Sequence, residues 1–310
     1  MPSVFEAEPL AIAQAAKILG QASREGRRVS IDRAGGDLVV STRYLNRLLE
    51  HEAGDLTATV EAGMRLSALN ERLAEHGQML ALDPPGDPTV GGAVAGDLFG
   101  PRAHRYGRAR DLVLGVTVVL ADGTVANAGG KVVKNVAGYD LAKLFCGSRG
   151  RLGLIARVSL RLHPRPETSR TLDIPVAAAD EAQGLVRALL HSTLVPSAVD
   201  LVWGERDSAL ALLFEGSQAA TAAQWEQGRA LLGGREGGAV WDEVAALQLK
   251  SRSRGAFPTG ELRSALEELG TALIRIGPTC HAYLPQPYEQ PWSALAERVR
   301  QQFDPGGVLA

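Results

Sequence analysis

Residues 82–154 constrain the fold most, because two glycine clusters there flank an apolar hairpin. The first cluster lies in residues 89–96, after the turn-rich run 83–88, and the second reads G-S-R-G-R-L-G over residues 147–153. Glycine turns a backbone at positive φ and lets it lie close to a flat ligand, which exposes peptide N–H groups to phosphates. A single Gly-Gly pair is more often a plain turn, but two clusters around one hairpin favour a large cofactor site.

Several other classes of function lack support. The second cluster has the spacing G-x-x-G-x-x-G, which differs from the G-x-G-x-x-G of dinucleotide-binding folds, and the chain has no G-x-x-x-x-G-K-[ST] motif of P-loop nucleotide hydrolases. The net charge of −2 gives no electrostatic case for nucleic acid. Cys146 and Cys280 form no C-x-x-C pair, so we expect no metal or iron–sulfur site in this chain.

Apolar spacing predicts a chain that mixes helices and strands. Helices are predicted at residues 9–24 and 65–76, where apolar residues recur on one face. The strands predicted in the first half are 28–31, 37–40, 56–63, 116–120, 124–128 and 152–162. After the Pro-Arg-Pro of residues 164–166, the pattern predicts strand, helix, strand, strand and helix over residues 172–232, and then a helix at 241–254.

Four segments, in this order along the chain, resemble one family. They are 84–92 (P-P-G-D-P-T-V-G-G), 110–115 (R-D-L-V-L-G), 120–124 (L-A-D-G-T) and 134–148 (K-N-V-A-G-Y-D-L-A-K-L-F-C-G-S). Together they resemble the FAD-binding domain of the vanillyl-alcohol oxidase and p-cresol methylhydroxylase (PCMH) superfamily. The last segment and the G-P-R of residues 100–102 are most similar to the FAD-binding E subunits of bacterial glycolate oxidases. One such motif would be weak evidence, whereas four in order are specific.

The resemblance implies the fold class and the domains. We expect an α+β chain with a two-part PCMH-type FAD-binding domain over residues 1–165. A small antiparallel α+β cap, ferredoxin-like in topology, is expected over residues 166–310. Residues 303–309 resemble the terminal D-P-x-G-x-L motif of the superfamily, so we expect the C-terminal segment to return to the flavin domain.

The same resemblance implies which residues contact FAD. The peptide N–H groups of residues 89–96 and the Thr89 hydroxyl are expected to approach the pyrophosphate and the edge of the flavin ring. Arg102 is expected to pair with a phosphate or carboxylate, since the arginine fork suits both. Binding should be non-covalent, because residues 24–50 hold no histidine or cysteine. The predicted cofactor-binding residues are Arg33, Gly35, Gly36, Pro85, Thr89, Val90, Gly91, Gly92, Gly96, Arg102, Gly138, Tyr139, Gly153 and Ile155.

The loop at residues 32–36, D-R-A-G-G, is shorter than the glycine-rich pyrophosphate loop that the family has here. It keeps two glycines, and the Asp32 carboxylate would lie near phosphate charge unless Arg33 offsets it. Two interpretations stay open: Arg33 supplies a charge-assisted phosphate contact, or the loop is a tight turn that touches no cofactor. The shortening therefore puts the FAD affinity in question.

The function implied by the resemblance is that of an FAD-binding subunit in a glycolate oxidase or dehydrogenase complex. Such a complex oxidises glycolate to glyoxylate, and its other members are a homologous flavin subunit and an iron–sulfur subunit. The sequence identifies no catalytic base, since His191 and His281 stand alone and no dense histidine set is present in the cap. We therefore expect the partner flavin subunit to hold the substrate site.

Two other classes of function stay open. The chain could act as a free-standing FAD-linked 2-hydroxy-acid dehydrogenase, or as a non-catalytic scaffold that has lost FAD. We expect a cytoplasmic protein without a membrane span, associated with membranes only through partner subunits. No apolar run approaches the roughly 20 residues of a membrane helix, and the N-terminus lacks the pattern of a signal peptide.

Overall fold

The computed structural model of the chain describes residues 5–131, 140–204, 208–287 and 293–310. The strands in these ranges form a three-stranded parallel sheet, a five-stranded antiparallel sheet, a seven-stranded antiparallel sheet and a two-stranded pair. This mixture of sheets with packed helices agrees with the predicted α and β content. Among the described residues, no helix is both long enough and apolar enough to cross a membrane.

The first sheet joins three short parallel strands. Its elements are β1 (Phe5–Ala7), α1 (Ile12–Arg24), β2 (Val29–Ile31) and β3 (Leu38–Val40), and the strand order is β1-β3-β2. The amphipathic α1 buries Ala15 and Leu19 in one core with Val29 and Val40. Strands β2 and β3 are parallel, yet residues 32–37 alone connect them, far fewer than the dozen or so typical of a crossover. Residues 32–37 must therefore run back along the short strands to reach the start of β3.

The five-stranded sheet completes the first half of the chain. Its elements and those packed on it are β4 (Leu48–Glu52), β5 (Thr57–Glu61), α2 (Leu66–Ala74), β6 (Gln78–Met79), α3 (Val90–Gly96), α4 (Ala103–Tyr106), α5 (Ala109–Leu112), β7 (Val113–Val119), β8 (Val125–Gly129) and β9 (Leu154–Arg161). The strand order is β4-β5-β9-β7-β8. The predicted hairpin is confirmed, since Val119 of β7 pairs with Val125 of β8. Val116 and Val118 of β7 lie in the main core of this half.

The second half is built on the seven-stranded sheet. The elements of this half are β10 (His163–Pro164), β11 (Thr168–Pro175), α6 (Ala179–Leu190), β12 (Ala198–Trp203), β13 (Ala209–Gly216), α7 (Gln218–Leu232), β14 (Arg235–Glu236), α8 (Val240–Lys250), β15 (Ser253–Pro258), α9 (Leu262–Glu268), β16 (Ala272–Arg275), β17 (Thr279–Leu284) and α10 (Ala294–Phe303). Strand β10 pairs with β6 and lies outside the seven-stranded sheet. The strand order is β14-β11-β13-β12-β16-β17-β15, and neighbouring strands are antiparallel.

One predicted helix of this half is too long. The pattern predicted helix over residues 241–254, whereas α8 ends at Lys250 and β15 begins at Ser253. Strand β15 pairs with β17 along its whole length, from Ser253 opposite Leu284 to Pro258 opposite Thr279. Pairing with a distant strand therefore overrides the local helical preference.

A buried contact joins the two halves around Phe99, whose side chain is only 1% exposed. Arg275 on β16 donates to the Asp200 carboxylate at 2.8 Å and to the Phe99 carbonyl at 2.9 Å. Both charged side chains are almost fully buried. Because a buried charge without its partner is costly, this pair holds the second sheet against the segment that follows α3.

The final residues lie against the first sheet. The N–H of Val29 donates to the Val308 carbonyl at 2.7 Å, and the N–H of Ala310 donates to the Val29 carbonyl at 2.8 Å. The buried Asp304 carboxylate accepts the N–H of Val308 at 2.9 Å and the N–H of Leu309 at 2.8 Å. The segment after α10 thus pairs with β2 and lies beside loop 32–36.

Candidate cofactor site

A cavity of about 400 Å³, cavity A, lies where loop 32–36, helix α3 and residues 149–155 meet. These three segments are far apart in sequence. Six of the predicted cofactor-binding residues line cavity A: Arg33, Gly91, Gly92, Gly96, Gly153 and Ile155. The fold therefore brings part of the predicted set into one cavity of the size that holds small ligands.

Loop 32–36 is held from beneath by polar side chains. The Asp32 carboxylate accepts the N–H of Thr42 at 2.7 Å and also the Thr42 hydroxyl, so its charge is bonded within the protein. The Ser30 hydroxyl donates to the carbonyls of Arg33 and Gly35. Among the described residues, the N–H groups of residues 33–36 have no acceptor, and Arg33 is the one of these four that lines cavity A.

Three arginines outweigh the one carboxylate, Asp32, that lines cavity A. Arg33 and Arg149 line it, and Arg151 lies close enough to act on Arg33. Burial and the like charges of Arg151 and Arg149 lower the pKa of Arg33 below its usual value. Arg33 also donates to the carbonyl of Ala310. An anion placed among these guanidinium groups would relieve their mutual repulsion.

Helix α3 forms one wall of cavity A, where the sequence predicted a loop with free N–H groups. The hydroxyl of its N-cap, Thr89, accepts the N–H of Gly92 at 3.0 Å. The N–H of Val90 donates to Met64 at 2.8 Å, and that of Gly91 donates to Ala62 at 2.7 Å. The amides at the start of the segment are therefore satisfied within the chain, and α3 offers a small-residue surface rather than donors.

Backbone packing explains several of the predicted glycines. A Cβ at Gly91 would lie 2.7 Å from the Cβ of Ala62, and a Cβ at Gly36 would lie 2.6 Å from the Arg28 carbonyl oxygen. Gly36 also has a φ of +73°, a conformation that favours glycine. Glycine at these positions lets α3 and loop 32–36 pack closely and so shapes the cavity.

Arg102 and Pro85 lie away from cavity A. They line a second cavity of about 320 Å³ between the two halves, which we call the Arg102 cavity. Arg102 donates to Glu215 of β13 at 2.6 Å, and its backbone N–H donates to Asp83 at 3.2 Å. Burial acts to lower the pKa of Arg102, but the hydrogen bond and charge of Glu215 raise it overall. The guanidinium predicted to contact the cofactor is thus bonded to carboxylates of the protein.

The carboxyl of Asp83 lies beside Arg102 in this cavity. Burial raises its pKa to about 6, although the neighbouring Arg102 and Arg275 act in the opposite direction. Its side chain is 22% exposed, so water still reaches part of it. Asp83 therefore titrates close to physiological pH.

A third group of charged residues lies between the two halves. The Asp97 carboxylate accepts from Arg254 at 2.9 Å and from Arg108 at 3.3 Å. His281 is not isolated as the sequence suggested, because its ring packs edge-on to Phe99 at 5.3 Å. Burial and the charges of Arg108 and Arg254 lower the pKa of His281 to about 4. The imidazole is therefore neutral at pH 7 and resists protonation there.

No sequence pattern indicates this group, because Asp97 and Arg254 are 157 residues apart. Of the remaining predicted contacts, Gly35 lies in loop 32–36, and Gly138 and Tyr139 lie outside the described residues. The described residues hold no cluster of three or more His, Cys, Asp or Glu side chains suited to a metal ion.

Comparison with known proteins gives a family for the first half. Residues 8–129 match the family described as FAD binding domain. Over 169 residues the chain is 35% identical to glycolate oxidase subunit GlcD of Bacillus subtilis (strain 168). The matched segment covers 54% of this chain and 36% of that protein. It is 32% identical over 206 residues to glycolate oxidase subunit GlcE of Escherichia coli (strain K12), covering 65% of this chain and 56% of that protein.

A third relative is named for a different hydroxy acid. The chain is 28% identical over 222 residues to mitochondrial D-lactate dehydrogenase [cytochrome] 1 of Saccharomyces cerevisiae, covering 69% of this chain and 37% of that protein. The chain thus spans between about a third and just over half of the length of these relatives.

Among solved structures, alkyldihydroxyacetonephosphate synthase has the same fold. The TM-score is 0.73 at 14% identity, and the match covers 98% of this chain and 75% of that one. This likeness extends the fold relationship into the second half. The match of residues 8–129 to the FAD binding domain and the similarity to glycolate oxidase subunits GlcD and GlcE confirm the predicted resemblance and support FAD as the cofactor.

Proposed function

We propose that the chain binds FAD non-covalently in cavity A and serves as the FAD-binding subunit of a glycolate-oxidising complex. The observation that carries the proposal is the meeting of three distant segments at one cavity with a positive wall. The residues present fit a dinucleotide: free N–H groups and arginines suit the pyrophosphate, and a glycine-rich wall suits a flat ring system. The shortened loop 32–36 is compatible with this fit, because Thr42 holds the Asp32 carboxylate.

The proposal assigns separate roles to the walls of cavity A. Arg33 and the N–H groups of residues 33–36, which include Gly35 and Gly36, bind the pyrophosphate. Gly91, Gly92 and Gly96 of α3 lie along the cofactor, and Gly153 and Ile155 contact its adenine end. Pro85, Thr89, Val90 and Arg102 shape the surrounding fold. When bound, FAD supplies the hydride acceptor for oxidation of a hydroxy acid.

The proposed substrate is glycolate or a similar 2-hydroxy acid, because relatives are named for glycolate, D-lactate and D-2-hydroxyglutarate. We propose residues 1–165 as the FAD-binding domain and residues 166–310 as the cap. The proposed partners are a homologous flavin subunit and an iron–sulfur subunit, with any membrane contact made through them. Because the sequence of the cap identifies no catalytic base, we assign the substrate site to the flavin partner.

Anaerobic spectroscopy tests this proposal. The purified chain is saturated with FAD and then mixed with glycolate, D-lactate or D-2-hydroxyglutarate, alone and with its partners. A flavin spectrum that bleaches only with the partners present supports a subunit role. Bleaching by the isolated chain would instead favour a free-standing 2-hydroxy-acid dehydrogenase. Failure to take up FAD would favour a scaffold that has lost the cofactor.

A further inference from the structure

A second cavity of about 450 Å³, cavity B, lies between residues 144–152 and helix α10. Leu144 and Leu152 line one side, and Leu295 and Val299 of α10 line the other. Arg149 belongs to the walls of both cavity A and cavity B. Cavity B therefore has an apolar body with one guanidinium at its edge.

A buried hydroxyl without a partner lies in the wall of cavity B. Ser148 is only 3% exposed, and its Oγ has no hydrogen-bond partner among the described residues. Buried hydroxyl groups are normally bonded, and one that is not calls for a ligand or an ordered water. Thr221 of α7 has a similarly buried and unpartnered hydroxyl but does not line cavity B, so it offers a matched control.

The first turn of α10 supplies further donors to the same cavity. Ser293 caps this ten-residue helix by accepting the N–H of Ala296 at 3.1 Å. The N–H groups of Ala294 and Leu295 precede the first intrahelical hydrogen bond, and no described residue accepts them. Ser293, Leu295 and Ala296 line the cavity, so the positive end of the helix lies at its wall.

The charges around cavity B favour an anion. Arg149 is the single charged side chain among the described residues that line it, and no carboxylate does so. Burial raises the pKa of Cys146 in the wall to about 12, so this thiol stays neutral at pH 7. The nearest acid of the helix, Glu297, accepts from Arg300 at 2.7 Å and is thereby neutralised.

We propose that cavity B binds a small organic anion with an apolar body. The anionic head lies between the Ser148 hydroxyl, the Arg149 guanidinium and the first turn of α10. The apolar body lies against Leu144, Leu152 and Val299. This site is distinct from the proposed FAD site, although Arg149 borders both cavities.

Isothermal titration calorimetry on the full chain, with and without saturating FAD, tests the site. The probe is octanoate, with acetate as an anion without an apolar body and 1-octanol as an apolar body without charge. Octanoate is expected to bind about tenfold or more tightly than either, because only it satisfies both ends of the cavity. Ser148→Ala should weaken octanoate binding about fivefold and leave the thermal stability of the ligand-free protein unchanged or higher.

The control is Thr221→Val, which also removes a buried, unpartnered hydroxyl and should leave octanoate affinity unchanged. Val299→Ala should weaken binding by enlarging the apolar end. Four outcomes would overturn the proposal: no octanoate binding in either FAD state, equal affinity for octanoate and octanol, equal losses in Ser148→Ala and Thr221→Val, or competition between FAD and octanoate. The last would make cavity B part of the FAD site.

Discussion

Arg33 and Arg102 illustrate how one residue type takes two different roles in this fold. Both are predicted phosphate contacts, and both lie in short loops of the first half. Arg33 borders cavity A beside Arg149 and Arg151, and its pKa is lowered by burial and by these like charges. Arg102 borders a cavity too, but Glu215 and Asp83 surround it, and its pKa is raised overall. The first arginine is available to an anion, whereas the second is bonded to carboxylates.

The difference between the two regions comes from distant parts of the chain. Glu215 is 113 residues from Arg102 and reaches it through β13 of the second sheet. Arg33 has arginines beside it, brought by the loop before β9. A local motif fixes where an arginine lies along the chain, but the sign of the charges around it depends on the tertiary fold.

The largest expected effect is loss of stability on removing Arg102. Arg102→Ala leaves the buried Glu215 carboxylate without its cation, which should lower the free energy of unfolding by about 3 kcal/mol in urea denaturation. Arg263→Ala, which removes exposed ion pairs, should cost less than about 1 kcal/mol. The double variant Arg102→Met/Glu215→Leu should recover most of the loss. Comparable losses of stability in Arg102→Ala and Arg263→Ala would contradict a structural role for Arg102.

Next in size is the loss of FAD affinity on removing Arg33. Arg33→Ala should raise the dissociation constant of FAD about tenfold or more, since hydrogen bonds to charged groups contribute about 1.5–3 kcal/mol. The stability of this variant should change little, because Arg33 is only partly buried. Arg43→Ala removes an exposed arginine of the same half that pairs with Glu8 and should leave FAD affinity unchanged. Equal effects in the two variants would show that Arg33 has no special place in the site.

The pH dependence of stability tests the Arg102 cavity further. The pKa of Asp83 rises from 3.8 to about 6 on folding, so the folded protein keeps this proton longer than the unfolded chain does. Its contribution to stability is fully present below pH 3.8 and is lost as the pH rises through about 6. Relative to Asp83→Asn, the wild type should therefore lose about 2 kcal/mol between pH 4 and pH 7. Parallel pH curves of the two proteins would exclude this titration.

The smallest expected effect concerns the support of loop 32–36. Thr42→Val removes the hydroxyl that bonds Asp32, which should cost about 1 kcal/mol of stability and weaken FAD binding about fivefold. Thr124→Val breaks a similar bond to Asp122 in the β7–β8 turn, outside the residues that line cavity A. Thr124→Val should lower stability without changing FAD affinity. A change in FAD affinity from Thr124→Val would point to a general loosening of the fold.

The sequence predicted many elements well because their apolar patterns are strong. Strand β12 is one of the strands predicted over residues 172–232, and the β7–β8 hairpin follows from two apolar runs around Asp122-Gly123. Helix α3 was missed because its seven residues are glycine, alanine and valine without a polar face. The one available signal was Thr89, which caps the helix with its hydroxyl.

The candidate site was predicted in part for the same reason. The glycines of cavity A lie in motifs that are contiguous in sequence, and the fold brings them to one cavity. The bonds of Arg102 to Glu215 and of Asp97 to Arg254 each join the two halves. No local pattern reports such contacts, because they depend on how the second sheet packs on the first half.

Hydrogen exchange of the backbone amides, with and without FAD, tests the central claim most directly. If FAD binds in cavity A, the amides of residues 33–36 and 149–155 should exchange more slowly with FAD present. The amides around Arg102 should keep their exchange rates. Protection centred on Arg102 and Asp83, with loop 32–36 unchanged, would contradict the account and assign the cofactor to the Arg102 cavity.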